Sequence, residues 1–188
     1  MMPDGTIGAM NIVATDRLTL RPFTAADLPL LTALHTDPQV MRYLGNGHPM
    51  TADQIAADLA DSMAATDRPP GCGRWAAEVN GRFVGRFGLW ARDDRPDERS
   101  IGYRLCSDAQ GHGYATEGAR WLIRRAFADP AVHRVYAETM AVNVGSRAVM
   151  QRAGLRWVRT FHLEWDEPIP GAEQGEVEYA IDRVDWTG

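Results

Sequence analysis

Cysteine is scarce in this chain, positive charge is outnumbered, and no long apolar run occurs. Two cysteines in 188 residues, Cys72 and Cys106, cannot build a disulfide framework. Neither stands in a C-x-x-C or near a histidine at metal-ligand spacing, so a metal site is not expected. A net charge of -5 gives no basic face to neutralise phosphates, which argues against nucleic acid as a partner. No stretch approaches the roughly 20 apolar residues that a membrane helix needs. The opening "MMPDGTIGAMNIVATD" also lacks a basic segment followed by an apolar one, the mark of a secretory signal. These absences lead us to expect a cytoplasmic protein with no membrane partner, its cysteines kept as thiols.

What is there suits one domain over 1–188, with 45% hydrophobic residues to build a core and residues 1–14 as a loose tail. "RLTLRPF" (Arg17 to Phe23) alternates like a half-buried strand. Thr24 and Asp27 form a capping-box pair ahead of "LPLLTALH". "DPQVMRYL" reads as a short helix with Pro38 in its first turn, and Thr51 with Gln54 opens another. "RWAAEV", Asn80-Gly81 and "RFVGRFGLW" predict a hairpin, with Gly85 and Gly88 marking a bulge or a close backbone approach. Ala91 to Arg99 reads as a charged loop and Ser100 to Leu105 as the next strand. A helix over about Thr116 to Ala128, the strand "HRVYAETM", the helix "SRAVMQRA" closed by Gly154, and the strands "LRWVRTFHLEW" and "EVEYAID" complete an α+β chain. The strand–helix–strand unit in its middle predicts one parallel pair with a right-handed crossover.

The stretch "QGHGYATEG" (Gln110 to Gly118) sets two glycines and an alanine directly before that central helix. The first N–H groups of a helix have no partner inside it, and its dipole makes that end partly positive. Small side chains there let an anion approach several N–H groups, which predicts a pyrophosphate cradle. It lacks the lysine and hydroxyl of a P-loop and does not match G-x-G-x-x-G. The plainer reading is a turn in which Gly113 only supplies a positive φ.

Gln110, Gly113 and Ala115 (Q-x-x-G-x-A), Asn143 and Ser146 (N-x-x-S), and the A-G-L at Ala153 to Leu155 together resemble the GNAT superfamily of acyl-CoA N-acyltransferases. "TDRLTLRPF" and "EVEYAIDRVDW" are similar to its RimJ/RimL-type branch, and the resemblance runs from Thr15 to Trp186. It implies a GNAT fold: a mixed, mostly antiparallel central sheet flanked by helices, with a V-shaped splay between Ser100–Leu105 and Val135–Met140. It implies acetyl-CoA as co-substrate, an amine acceptor, and a homodimer. Backbone groups around Tyr103, Leu105 and Cys106 would pair with the pantetheine arm. Gln110 and the N–H groups of Gly111, His112, Gly113, Tyr114, Ala115 and Thr116 would hold the pyrophosphate. Asn143 would bond the pantetheine or fix the slot, and Ser146 would lie near the thioester sulfur and protonate the leaving thiolate, or else act as the N-cap of "SRAV".

The attacking amine must lose a proton. Several RimL-like relatives carry a glutamate immediately before "IGY"; here Ser100 stands there, so that role does not transfer. Glu138 is the candidate base, with Asp97, Glu98, Glu176, Glu178, His162 and a water chain as alternatives. The acidic run Glu164, Asp166, Glu167, Glu173, Glu176 and Glu178 would steer a cationic amine if it rims the acceptor pocket. Trp75, Trp90, Trp157 and Trp165 are either core residues or lining on the acceptor side. Two further readings stay open: a catalytically weak acyl-CoA-binding module, motivated by Ser100, and another phosphate-binding enzyme using the same helix entrance.

Overall fold

The computed structural model describes residues 12–64, 71–165 and 167–188. Among these, eight strands form one sheet: β1 (Val13–Ala14), β2 (Thr19–Pro22), β3 (Gly73–Val79), β4 (Arg82–Arg92), β5 (Arg95–Leu105), β6 (Arg134–Met140), β7 (Arg156–Phe161) and β8 (Glu176–Asp182), in the order β1-β2-β3-β4-β5-β6-β8-β7. Helices α1 (Leu28–Thr36), α2 (Pro38–Met41) and α3 (Ala52–Ala64) lie between β2 and β3; α4 (Tyr114–Phe127) joins β5 to β6, and α5 (Val144–Ala153) joins β6 to β7. Every neighbouring pair is antiparallel except β5 and β6, the parallel pair expected from the central unit.

Part of the expected tail is ordered, because Val13 and Ala14 pair with Leu20 and Thr19. The charged segment Ala91 to Arg99 is no loop. β4 runs to Arg92 and β5 starts at Arg95, so the acidic pair Asp93 and Asp94 makes the turn. A hairpin tip that projects beyond the core needs no apolar residues, so its charge hides its strand character. The helix expected from Thr116 begins two residues earlier, at Tyr114, and the long strand after Gly154 ends at Phe161. Thr24 and Asp27 do form the capping box, although the turn they open is a single 3-10 turn before α1.

Alternation along the strands divides the sheet into two faces. Trp75, Phe87, Ile101, Val135, Val177 and Tyr179 face α4 and α5 in the larger core cluster, where Trp75 meets Trp121 edge-on with centroids 5.0 Å apart. The opposite face is covered in part by α1 and α3 through Leu31, Leu34, Ile55 and Leu59 around Phe23 and Ala76. Gly118 sets how closely α4 approaches the sheet: a Cβ there would stand 2.0 Å from Cε1 of the buried Phe87 ring. Gly118→Ala is expected to destabilise the fold by roughly 2 kcal/mol net, since overpacking outweighs alanine's better helix propensity. A urea midpoint unchanged from wild type would contradict this.

Candidate active site

β5 and β6 pair at only three positions, Glu98 with Arg134, Arg99 with Val135 and Ser100 with Tyr136. Beyond these, Ile101–Leu105 and Ala137–Met140 part, which opens the expected V-shaped slot. The N–H of Cys106 donates to the Val84 carbonyl on β4. Counting back by twos, the N–H and C=O groups of Leu105, Tyr103 and Ile101 point away from β4, into the slot. Tyr103 and Leu105 therefore present main-chain groups where expected. The Cys106 N–H does not, because β4 already takes it. The Leu105 carbonyl accepts from the Gln110 side-chain amide at 3.3 Å, so Gln110 ties the end of β5 to the glycine loop.

That loop opens α4 as predicted. Gly111 and Gly113 have φ of 79° and 82°, in the region that glycine alone enters freely, and no side chain caps the helix at Gly113. Gly111, His112 and Gly113 are exposed, while Tyr114, Ala115 and Thr116 are half-buried. The sequence reading missed Arg17. Its Nε donates to Glu117 at 2.7 Å and its Nη1 to the His112 carbonyl at 2.8 Å, and the guanidinium lies 4.9 Å from the Tyr114 ring centroid. Glu117 also accepts from Thr15 Oγ1 and from the Arg17 N–H, so the first turn of α4 is clamped to the chain just before β2. The opening motif "TDRLTLRPF" carried this signal, but only a contact across 100 positions of sequence gives it meaning.

Across the slot, Asn143 is the N-cap of α5, its Oδ1 accepting from the Ser146 N–H at 3.1 Å and its Nδ2 donating to Thr139 Oγ1. Ser146 is thus not the cap. α5 begins at Val144, and the Asn143 carboxamide reaches the free N–H groups first. The Ser146 hydroxyl instead lies 3.1 Å from the Tyr103 hydroxyl, which joins α5 to β5 over the slot. Burial pushes the Tyr103 phenol up to about 12, against the Ser146 contact.

The face away from α4 holds the other groups. Trp90 lays its indole over Gly88 and Gly102, where an added Cβ would come within 2.4 Å and 2.8 Å of the ring. Gly88 is therefore an aromatic seat, and the bulge between β3 and β4 falls at Ala77/Glu78, opposite Gly85. Glu138 and Glu178 are direct partners on β6 and β8, and Glu176 pairs with Met140. Glu178 is held by Arg159 at 2.8 Å and Arg134 at 3.5 Å. Partial burial, then the Glu178 charge, raises the Glu138 carboxyl above its ordinary range, with Arg159, Arg92 and Arg95 pulling the other way. Burial, then Glu138, raises Glu176 as well. Asp97 and Glu98 sit back at the paired end of β5, and His162 lies beyond β7 beside Gly175. Of the tryptophans, Trp75 is core and Trp157 is exposed. Asp166 lies outside the described residues. A cleft of about 430 Å³ runs between the loop after α2 (Arg42, Tyr43, Gly47, His48) and the loop before β8 (Glu167, Pro168, Ile169, Pro170).

On the same face as Trp90, nearer the start of β4 and the end of β5, His35 of α1 is fully buried between Asp58 and Arg104. An arginine only donates, so His35 Nδ1 accepts from Arg104 and its Nε2–H donates to Asp58 at 3.1 Å, which makes the imidazole neutral. Burial lowers the His35 pKa first, and the Arg104 and Arg86 charges add to that, against Asp58.

The sequence profile of the acetyltransferase (GNAT) domain matches residues 17–156. An FsC-acetyl coenzyme A-N(2)-transacetylase from Aspergillus fumigatus is 37% identical over 188 residues, covering 96% of this chain and 80% of its own. In structure, the chain is similar to RimL, a ribosomal L7/L12 alpha-N-protein acetyltransferase solved with coenzyme A (TM-score 0.75, 15% identity, 91% of this chain and 97% of that one). It is also similar to the microcin C7 self-immunity acetyltransferase MccE, solved with acetyl-CoA and AMP (TM-score 0.74, 16% identity, 89% and 93%). The chain belongs to the GNAT acetyltransferase family, and its enzymatic class is N-acetyltransferase.

A neutral buried His35 makes stability depend on pH. The unfolded histidine takes up a proton near pH 6.5 while the folded one resists it, so stability is whole above about 6.5 and falls as pH drops toward the lower folded value, by up to about 1.4 kcal/mol per unit. His35→Gln is expected to flatten that slope in urea midpoints taken between about pH 7.5 and 5. Equal slopes for the two proteins would contradict the assignment.

Proposed function

We propose that this enzyme moves the acetyl group of acetyl-CoA to a primary α-amine by direct attack in a ternary complex. The observation that carries the reading is the parting of β5 from β6, with the glycine loop of α4 at the open end. Main-chain groups of Tyr103 and Leu105 would pair with the pantetheine arm, and the first N–H groups of α4, with the Arg17 guanidinium beside them, would hold the pyrophosphate. Asn143 would act by shaping the slot, since both ends of its side chain are engaged within the protein. The solved neighbours bound to coenzyme A and acetyl-CoA support this ligand.

As the amine nitrogen bonds to the thioester carbon, a slot-facing N–H of β5 would stabilise the charge developing on the carbonyl oxygen. Glu138 would take the amine proton. It stands two residues beyond the last β5–β6 pair, on the Trp90 face, and so answers for the glutamate missing at Ser100. The carbon–sulfur bond then breaks, and the Ser146–Tyr103 hydroxyl pair would protonate the thiolate. An α-amine, with an unperturbed pKa of about 7.7 to 8.0 against 10.4 for a lysine side chain, asks less of such a base. The N(2) in the name of the Aspergillus relative supports an α-type nitrogen. The opening and closing motifs favour the RimJ/RimL-like branch.

The test is release of CoA from acetyl-CoA that depends on an added amine. Glu138→Gln should lower kcat/KM by about a hundredfold at neutral pH and abolish the fall in rate below the Glu138 pKa, with the KM for acetyl-CoA unchanged. A variant that keeps wild-type rate and pH profile would remove Glu138 from the mechanism.

A further inference from the structure

Arg74 on β3, Arg86 on β4 and Arg104 on β5 project from the Trp90 face of the sheet toward α1 and α3. Among the described residues, one carboxylate answers them. Asp58 of α3 contacts Arg86, His35 and, at 3.4 Å, Arg74. Glu78, which shares this face of β3, is held by Arg21 at 2.7 Å. With His35 neutral, three guanidiniums face one carboxylate among the described residues, leaving two positive charges in excess there. They are not simply bathed in water: the Arg86 side chain is 12% exposed and that of Arg74 21%. The Arg74 Nε is buried without a partner among the described residues. Burial, and then repulsion from Arg86, lowers the Arg104 guanidinium to about 10.

The cluster borders the acceptor side of the slot. Arg104 lies two residues, about 6.6 Å of strand, beyond Gly102, and Gly102 sits under the Trp90 indole. The Arg74 guanidinium lies 5.9 Å from the centroid of that indole. Trp90 is thus a flat floor with guanidiniums along one margin and, across the slot, Glu138 and Glu176 along the other. We propose that this cluster is a receptor for a carboxylate carried by the acceptor itself, so that the substrate class is an α-amino acid or a derivative with a free carboxylate. Its amine points to Glu138 and its carboxylate to Arg104 and Arg74. The assignment rests on the acyl-transfer reading for the place of the amine. The guanidiniums match a carboxylate through paired N–H donors, and partial burial strengthens that match over one made in water.

The experiment uses product-like compounds and needs no turnover. N-acetyl-L-leucine, N-acetyl-L-glutamate and N(2)-acetyl-L-ornithine, each with its carboxamide, are titrated calorimetrically into the full chain saturated with CoA. At least one acid should bind about tenfold or more tightly than its amide, and Arg104→Gln and Arg74→Gln should each erase that preference. Arg74→Gln leaves the His35 contacts intact, which keeps a folded variant in hand if Arg104→Gln is destabilised. Equal binding of acid and amide, no binding of any pair, or a preference that survives both substitutions overturns the receptor. Amine-dependent CoA release is read separately, so acyl transfer can stand while the carboxylate site falls.

Discussion

Two parallel strands that pair over three residues and then part leave main-chain donors and acceptors facing a wedge. Buried backbone polar groups are paired almost without exception, so a wedge of this kind implies a partner that is itself strand-like and hydrogen-bonding. Much else follows from that constraint. The wedge ends where α4 begins, so whatever pairs along β5 arrives at a helix N-terminus that no side chain caps. Tyr103 and Ser146 bridge the two sides from the helix face, while Trp90 and Glu138 occupy the other face.

The sheet therefore separates two chemistries by strand alternation alone. Odd positions of β5 carry the side chains that pack on α4, and their own main-chain groups face the slot. Even positions carry Ser100, Gly102 and Arg104 to the Trp90 side. Gly102 and Gly88 make that side flat enough for an indole, and the charges to its left and right differ in sign. Burial first, and then the carboxylates that β6 and β8 set on neighbouring positions, raise the Glu138 and Glu176 pKa values, whereas Arg104 is lowered by burial and by Arg86. A cation beside the carboxylates and an anion beside the guanidiniums would each relax that tension.

The sequence was legible wherever a local pattern carries the physics. Asn80-Gly81 marked a hairpin, Gly154 closed a helix, and the glycines at 111 and 113 took the positive φ their placement implied. It misled where charge concealed a strand, at Ala91 to Arg99, because the tip of the hairpin projects past the core and the buried Arg99 at its base is held by the Pro96 carbonyl and Asp129, contacts no local pattern reports. Ser146 was read as a possible cap, yet the residue three positions earlier caps first, a choice decided by a shift of three in the helix start. Arg17, the Tyr103 hydroxyl contact with Ser146 and the Arg74–Arg86–Arg104 group were invisible in the sequence for one reason. Each acts through partners far away in the chain, and no spacing rule reports a contact between His35 and Arg104.

The central claim is that the wedge is the seat of acetyl-CoA. Calorimetric titration of the purified chain with acetyl-CoA, with ATP as the control ligand, tests it most directly. The account requires saturable binding at one site per chain with ATP far weaker, because a pyrophosphate cradle alone cannot offer the strand-like pairing of the slot. Folded protein that fails to bind acetyl-CoA, or binds ATP equally well, would contradict it.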